Sequence, residues 1–217
     1  MELKETIYKR QSIRKFTEEE VREEDLLQIL DAGRVAPSGK NCQNWHFVVI
    51  RSRELKEKIA QAILDKNELI SKEIDKKDEE KGLRFRKFVK NFTLFYLGAP
   101  VLILVFATTY YPSGYHEYVF ADFPREYTDK LFQRNPGMQN IGAAVENMTL
   151  RAVDLGYGSC WMTGQGYAAE EIEALMKEEG FEKEGYFLAC MLSLGVPQPD
   201  PRSPGKKSLE EICTFMD

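Results

Sequence analysis

The sequence predicts a soluble globular chain that mixes helices and strands, and three observations support this. Its 217 residues are 43% hydrophobic and 30% charged, which is typical of a folded chain with a substantial core. Apolar residues recur at helical spacing in several segments. The run 100–107 is instead continuously apolar, as in a strand buried on both faces. The length allows one large domain or two small ones.

Composition and charge exclude several classes of function. The net charge of −5 argues against nucleic acid as the main partner. No apolar run is long enough to span a membrane, and the charged start, Met1-Glu2-Leu3-Lys4, lacks a signal-peptide core. The four cysteines form no CxxC pair, which predicts reduced thiols rather than a zinc site or a disulfide framework. We therefore expect a cytoplasmic protein with no metal site and no membrane partner.

Periodicity then predicts the elements in chain order. Helices are expected over 2–10, 24–35, 138–155 and 169–179, with a further helix starting at an N-cap, Ser52. Strands are expected over 46–51, 100–107 and 186–194, with a short strand and a glycine turn over 158–164. Helix 138–155 is apolar around much of its circumference and ends before a C-cap glycine, Gly156. Such a helix belongs at the centre of a core or in a subunit interface.

Two polar segments carry candidate chemistry. If 10–16 is extended, Arg10, Ser12 and Arg14 share one side and Ile13 faces the other. Two guanidiniums and a hydroxyl on one side suit a phosphate, and a solvated basic turn is the alternative. The loop 36–47 combines turn formers with amide side chains, which can bind the edge of a heterocycle. An ordinary helix-to-strand loop is the alternative there.

Three further segments differ from the rest in composition. The highly charged stretch 65–92 predicts a solvated helical insertion or, alternatively, a mobile lid over an anionic aromatic ligand. The segment 108–136 is rich in aromatic residues but poor in periodicity, so we expect a long loop that packs on the body or lines a pocket. The proline-rich extension 196–217 cannot fold on itself and must lie on the body or on a partner subunit.

Taken together, these motifs resemble the FMN-dependent nitroreductase family. The matching elements occur in the family's order: Arg10-x-Ser12-x-Arg14, Ala36-Pro37-Ser38-x-x-Asn41-x-Gln43-x-Trp45-x-Phe47, Ala99-Pro100, Gln139-Asn140, Gly156-x-Gly158-Ser159 before Trp161, and Lys206-Lys207-x-Leu209-Glu210-Glu211. The resemblance implies an α+β fold in which helices flank a central, mostly antiparallel sheet. It also implies a single FMN-binding domain over 1–217 and an intertwined homodimer, with 196–217 wrapping the partner subunit.

The resemblance also implies which residues bind FMN. Contacts to the phosphate are expected from Arg10, Ser12, Arg14, Lys206 and Lys207. Contacts from the other subunit to the flavin are expected from Pro37, Ser38 and Asn41, and Gln43 is expected near the cofactor. Asn91, just before the second strand, would reach the flavin pyrimidine. The segment that passes the reactive edge of the flavin comprises Trp161, Met162, Thr163 and Gly164, and the backbone N–H of Thr163 or Gly164 can bond flavin N5. In the aromatic segment, the expected substrate-pocket residues are Phe120, Phe123 and Tyr111.

Three functional hypotheses follow. The first is an oxidoreductase in which NAD(P)H reduces FMN and an electron-poor acceptor, such as a nitroaromatic or a quinone, reoxidises it. The second is one-electron flavin chemistry, because Thr163 stands where many nitroreductases have glutamate and could donate its hydroxyl to N5. Reductive dehalogenation and flavin fragmentation to a benzimidazole are examples. The third is a non-catalytic flavin-binding or sensing protein.

Overall fold

The computed structural model describes residues 2–199 and 203–216. The α-helices in these ranges are α1 (Leu3–Lys9), α2 (Glu23–Arg34), α3 (Arg53–Asp75), α4 (Glu79–Phe92), α5 (Tyr115–Phe120), α6 (Arg125–Phe132), α7 (Pro136–Asp154) and α8 (Ala169–Glu178). The strands are β1 (Trp45–Ile50), β2 (Val101–Thr108), β3 (Gly158–Met162) and β4 (Tyr186–Gly195). Short 3-10 helices occupy Gly39–Asn41, Leu94–Gly98 and Gly166–Ala168.

The four strands form one antiparallel sheet in the order β1-β2-β4-β3. Val48 of β1 pairs with Leu104 of β2, and Ile103 pairs with Leu192 of β4. At the other edge, Cys160 of β3 pairs with Ser193. Because helices flank this sheet, the α+β architecture implied by the resemblance is confirmed.

Strand β2 shows why the sheet lies at the centre of the molecule. Its odd-numbered residues, such as Ile103, belong to a core built with α2 and α7. Its even-numbered residues, such as Leu104, belong to a second core built with α3, α4 and α8. Residues 101–107 are all buried, since successive side chains point to opposite faces. The prediction of a strand buried on both faces is therefore confirmed.

Helix α7 is the apolar helix that the sequence predicts. Ile141, Val145 and Met148 are fully buried against the sheet and α2. Gly156 adopts the left-handed conformation, with φ of 89°, and its N–H donates to the carbonyl of Val153 at 3.0 Å. This is the glycine C-cap expected from the sequence, because a residue without a Cβ enters that conformation at little cost.

Helices α3 and α4 form a hairpin that packs on one face of the sheet. The Ser52 hydroxyl accepts a hydrogen bond from the N–H of Leu55 at 3.2 Å, which confirms the predicted N-cap. Arg86 on α4 pairs with Glu68 at 2.6 Å and with Asp75 at 2.7 Å, both on α3. The charged segment predicted over 65–92 is helical. Its first residues belong to α3, which runs unbroken from Arg53 to Asp75.

The segment 108–136 differs from the expected long loop, because it contains the two short helices α5 and α6. Its aromatic rings pack on one another: Tyr118 lies 5.1 Å from Phe123 and 5.5 Å from Tyr127, between ring centroids. Ring-to-ring contacts of this kind do not need a helical stripe facing the main core. That explains why the sequence shows no clear periodicity there.

Two further features of the fold concern membrane-spanning helices and the cysteines. Among the described residues, no helix has the length and apolarity needed to cross a bilayer. All four cysteines are free thiols, with Cys160 and Cys190 buried and Cys42 and Cys213 exposed. Burial raises the pKa of the Cys190 thiol to about 12, so this thiol is protonated at neutral pH.

Candidate functional site

The segment Arg10–Arg14 lies alongside β3 in an extended conformation. Ser12 forms a parallel bridge with Ser159, and the N–H of Ile13 donates to the Ser159 carbonyl at 2.9 Å. Ile13 is 6% exposed and packs with Phe16 and Ala99. A Cβ on Gly158 would lie 2.6 Å from Ile13 Cγ1, so this close approach requires glycine. The segment is therefore extended, as the phosphate-binding interpretation requires, and Ile13 faces inward.

The polar side chains of this segment act on the thiol of Cys160 in β3. Burial raises the pKa of the Cys160 thiol, while the positive charge of Arg14, the hydroxyl of Ser12 and the positive charge of Arg10 oppose that rise. Arg10 Nε lies 3.5 Å from Glu146 Oε1. The Arg14 guanidinium lies 5.7 Å from the centroid of the Phe95 ring and has no carboxylate at ion-pair distance within 2–199 and 203–216. Two arginines and a hydroxyl therefore share one end of β3 with spare donors.

The loop after α2 has an unusual backbone. Lys40, Asn41 and Gln43 all adopt left-handed φ values, of 53°, 50° and 44°. Such a conformation costs free energy for any residue with a Cβ, so the surrounding structure must hold it in place. Part of the restraint is local, because the Ser38 hydroxyl accepts a hydrogen bond from the Gln43 N–H at 3.0 Å.

Two buried asparagines add a further restraint on this loop. Asn140, at the start of α7, accepts a hydrogen bond from the Gly39 N–H at 3.0 Å. It also donates to Asn44 Oδ1 at 2.9 Å, and Asn44 in turn donates to the carbonyl of Thr108 at 3.1 Å. Asn44 is 1% exposed and Asn140 is 7% exposed. They fix the loop between α7 and the end of β2 while the predicted cofactor residues Asn41 and Gln43 stay exposed.

The turn that follows β3 presents the residues expected at the reactive edge of a flavin. Trp161 is 40% exposed beside α7, and Met162 is 5% exposed. Thr163 and Gly164 are exposed, and the Thr163 hydroxyl makes no hydrogen bond with the described residues. The chain therefore leads directly from the Arg10–Arg14 neighbourhood on β3 into an exposed turn with a free hydroxyl.

Gln165 is a residue in this region that the sequence analysis missed. It is 3% exposed, and its amide Nε2 donates to the carbonyl of Thr93 at 3.5 Å, which links the turn to the end of α4. Its Oε1 is buried without a partner among the described atoms. No pattern in the sequence separates Gln165 from an ordinary loop residue, because its partner lies 72 positions away.

Asn91 does not lie where the sequence predicts. It was expected just before the second strand, but α4 continues to Phe92 and a 3-10 helix follows before β2 begins at Val101. The Asn91 side chain is exposed on α4. Because the helical hydrogen bonding of α4 continues past Asn91 to Phe92, this residue lies on a helix, ten positions before β2 begins. Its expected contact with the flavin pyrimidine stays a prediction.

The three residues predicted for the substrate pocket are not brought together. Phe123 lines a groove of about 520 Å³ between α5 and α6, whereas Phe120 and Tyr111 do not line it. The residues that line this groove are Tyr115, Val119, Asp122, Phe123, Arg125, Thr128, Asp129 and Phe132. Phe120 is 90% exposed and Tyr111 is 44% exposed.

The extension after β4 begins on the body of its own chain. The N–H of Thr17 donates to the Val196 carbonyl at 2.9 Å, and the N–H of Gln198 donates to the Lys15 carbonyl at 3.1 Å. Residues 200–202 and 217 of the predicted extension lie outside the described residues. Residues 203–216, which include Lys206 and Lys207, are exposed throughout, and the expected contact of these lysines with the FMN phosphate stays a prediction.

The amino-acid sequence matches the model of a known protein family. The model described as "Nitroreductase family" matches residues 7–196. This range contains the Arg10–Arg14 segment, the loop after α2 and the turn after β3. It ends before Lys206 and Lys207.

Individual relatives are similar over almost the whole chain. A crystal structure of a BluB-like flavoprotein from Clostridium difficile 630 is 60% identical, with a TM-score of 0.98 over 100% of both chains. An iodotyrosine deiodinase from Thermotoga neapolitana is 32% identical over 95% of each chain. A nitroreductase with bound FMN from Bacteroides fragilis NCTC 9343 has a TM-score of 0.67 over 100% of both chains, and its 24% identity supports a shared fold alone.

Proposed function

The chain belongs to the nitroreductase family, and on that premise we propose that it is an FMN-dependent oxidoreductase. It would pass electrons from NAD(P)H to an electron-poor acceptor such as a nitroaromatic or a quinone. Bound FMN would supply the redox chemistry, because its ring can take up a hydride and release electrons again. The observation that carries the proposal is the bridge between Ser12 and Ser159, since it aligns the two arginines with the strand that enters the Thr163 turn.

The donor set at this end of β3 fits the phosphate of FMN. A phosphate monoester carries nearly two negative charges at neutral pH, and guanidinium groups bind its oxygens through paired N–H donors. Arg14 has no carboxylate competitor among the described residues, and Arg10 has a single carboxylate contact at 3.5 Å. Ser12 adds a hydroxyl donor on the same side. These residues would hold the phosphate, and Lys206 and Lys207 of a second subunit could add charge.

The exposed polar groups near the turn and in the loop fit the ring of FMN. The backbone N–H groups of Thr163 and Gly164 would lie along its reactive edge, and Asn41 and Gln43 would bind its polar edge from a second subunit. A homodimer is supported by the extension, because Leu209 is 78% exposed and Phe215 is 89% exposed on their own chain. Burying such side chains on a partner would stabilise the pair.

No protein nucleophile is assigned in this proposal. The residues of the chain bind and orient the two reactants, and the apolar surface of Trp161 helps to exclude water near the Thr163 turn. The backbone N–H groups in the loop and the turn would stabilise the negative charge that reduction adds to the ring. After the oxidised nicotinamide has dissociated, the acceptor would bind at the same face of the flavin ring.

The first test measures FMN binding and turnover together. The purified protein should retain FMN through gel filtration and oxidise NADH or NADPH with menadione faster than free FMN does. Arg14→Ala should weaken FMN binding by about 1.5–3 kcal/mol, because it removes hydrogen bonds to a charged group. Arg125→Ala is a matched control, since Arg125 lies on α6 and pairs with Asp129.

Each outcome of this test bears on one part of the proposal. Loss of FMN on gel filtration, even after FMN is added, would refute the flavoprotein assignment. Retained FMN without turnover would favour a non-catalytic flavin-binding protein. Equal FMN affinities for the wild-type protein and Arg14→Ala would mean that the phosphate is bound elsewhere.

A second candidate function rests on the free hydroxyl of Thr163. This hydroxyl could donate a hydrogen bond to flavin N5 and favour one-electron chemistry on a specific substrate. The similarity to a BluB-like flavoprotein and to an iodotyrosine deiodinase supports it. The test is iodide release from 3-iodo-L-tyrosine by reduced protein, compared among wild type, Thr163→Ala and Thr163→Ser. Thr163→Ser should keep the activity and Thr163→Ala should lose it; no iodide release from wild type would exclude the deiodinase form of this function.

A further inference from the structure

We propose that Lys40 binds an anionic group on the acceptor, so that aromatic carboxylates and similar anions are the preferred substrate class. This inference rests on the proposed function, because it places the acceptor beside the loop 37–43. Lys40 is not among the residues expected to bind FMN, and none of the roles assigned above uses it.

The Lys40 ammonium lies where the loop meets the aromatic segment. Its Nζ donates to the carbonyl of Tyr111 at 3.4 Å and lies 6.0 Å from the centroid of the Tyr110 ring. A lysine ammonium has three N–H donors, so two remain free after the contact with Tyr111. Within the described ranges, no carboxylate lies at ion-pair distance from Lys40, and its side chain is exposed. The ammonium is therefore available to an anion from solution.

Tight packing and a restrained backbone hold Lys40 at this position. A Cβ on Gly39 would lie 2.5 Å from the hydroxyl of Tyr110, so the glycine allows the loop and that ring to touch. Lys40 itself has φ of 53° and ψ of 23°, and the buried Asn140 fixes the preceding N–H. Because the backbone is fixed before a ligand arrives, little backbone entropy is lost on binding.

The neighbouring rings explain why the anion should also be aromatic. The Tyr111 ring lies 4.7 Å from the ring of Tyr115 and 5.6 Å from that of His116, between centroids. Phe132 contributes an edge contact to Tyr111 at 6.2 Å. A ligand ring can pack against the exposed rings of Tyr111 and His116 while its carboxylate meets the ammonium. A neutral aromatic acceptor would gain only the first of these contacts.

A second lysine in the chain provides a matched control. The Nζ of Lys130 lies 5.5 Å from the centroid of the Tyr127 ring, and the side chain is exposed on α6. Lys130 thus shares the aromatic neighbour and the exposure of Lys40, but it lies outside the loop. Replacing each lysine with methionine removes one positive charge and keeps an unbranched apolar side chain.

The experiment measures binding of benzoate and of its neutral analogue benzamide by isothermal titration calorimetry. Wild type, Lys40→Met and Lys130→Met are each titrated with and without bound FMN. For the FMN-loaded protein, Lys40→Met should weaken benzoate binding about tenfold more than benzamide binding, in line with the loss of a charge-assisted hydrogen bond. Lys130→Met should leave both affinities unchanged. In turnover, the KM for 4-nitrobenzoate should rise by a similar factor with kcat retained.

Three results would overturn the inference: equal weakening of benzoate and benzamide in Lys40→Met, equal effects of the two lysine variants, or benzoate binding that Lys40→Met does not change. Failure of the proposed function has a different signature, because the wild-type protein would then retain no FMN. Titration of the flavin-free protein still reports whether benzoate binding depends on Lys40.

Discussion

The two segments expected to bind the cofactor are held in place by different forces. The segment Arg10–Arg14 is extended, pairs with β3 through ordinary backbone contacts and is anchored by the buried Ile13. The loop 37–43 has three left-handed residues and an exposed surface, and two buried asparagines hold it. One segment thus depends on apolar burial and strand pairing, and the other on a few directional hydrogen bonds.

This difference predicts where each segment is sensitive to mutation. Apolar anchoring spreads its stabilisation over many weak contacts, so exposed side chains can change without moving the backbone. A buried amide network concentrates its stabilisation in a few atoms, and removing one member leaves others unsatisfied. We therefore expect the loop to be vulnerable at its buried asparagines, and the extended segment to be vulnerable only where its close approach to β3 is blocked.

The largest effect is expected from Asn140→Ala. Asn140 is 7% exposed, and this change removes the acceptor of the Gly39 N–H and the donor to Asn44 Oδ1. Because the buried Asn44 oxygen loses its hydrogen bond from Asn140, we expect the free energy of unfolding to fall by about 3 kcal/mol. Urea denaturation followed by circular dichroism measures this loss.

The control for this prediction is Asn147→Ala on the same helix. Asn147 Nδ2 donates one hydrogen bond, to the carbonyl of Ala32 at 3.1 Å. Loss of this hydrogen bond should lower the free energy of unfolding by about 1 kcal/mol. Similar losses for the two variants would show that the loop does not depend specifically on the amide pair.

A smaller effect is expected from Gly158→Ala on β3, the strand that pairs with the segment Arg10–Arg14. The new Cβ would lie 2.6 Å from Ile13 Cγ1 and 2.9 Å from Ile13 Cβ, so the segment must shift away from β3. Such overpacking costs about 2 kcal/mol of stability. It should also weaken FMN binding, because the arginines move with Ile13. Fluorescence titration of FMN measures the affinity.

Gly98→Ala distinguishes a steric effect from a general effect of replacing glycine. A Cβ on Gly98 would meet no atom within 4 Å. We expect unchanged FMN affinity for this variant. If Gly158→Ala also binds FMN with wild-type affinity, the close packing of Ile13 on β3 does not position the phosphate site.

The features that could be read from the sequence are those that depend on neighbours in the chain. The alternation of Arg10, Ser12 and Arg14 with Ile13 is consistent with an extended segment, because the period of two is contained in five residues. The apolar stripe of α7 and its glycine cap are equally local. The motifs that resemble a known family then predicted the antiparallel sheet, which the local patterns alone did not.

The features that could not be read depend on contacts between distant residues. Asn140 and Asn44 are separated by 96 positions, and nothing in either neighbourhood indicates that they pair. The 3-10 helix Leu94–Gly98, which separates α4 from β2, was likewise not indicated by any local pattern. Helices α5 and α6 were expected as loop because their aromatic rings pack on each other and not on a helical stripe.

The smallest effect is expected from Gln43→Gly in the loop. The Gln43 amide makes only long, exposed hydrogen bonds to Asn41, at 3.3 Å and 3.4 Å, so its loss should cost little. Glycine relieves the left-handed backbone at φ of 44°, but it also increases the entropy of the unfolded chain. These two contributions are each about 1 kcal/mol and oppose one another. The free energy of unfolding should therefore change by less than about 0.5 kcal/mol. Urea denaturation of Gln43→Gly beside Asn140→Ala makes the comparison within one loop. A loss for Gln43→Gly as large as that for Asn140→Ala would mean that exposed amides hold the loop, and the distinction between its buried supports and its exposed surface would fail.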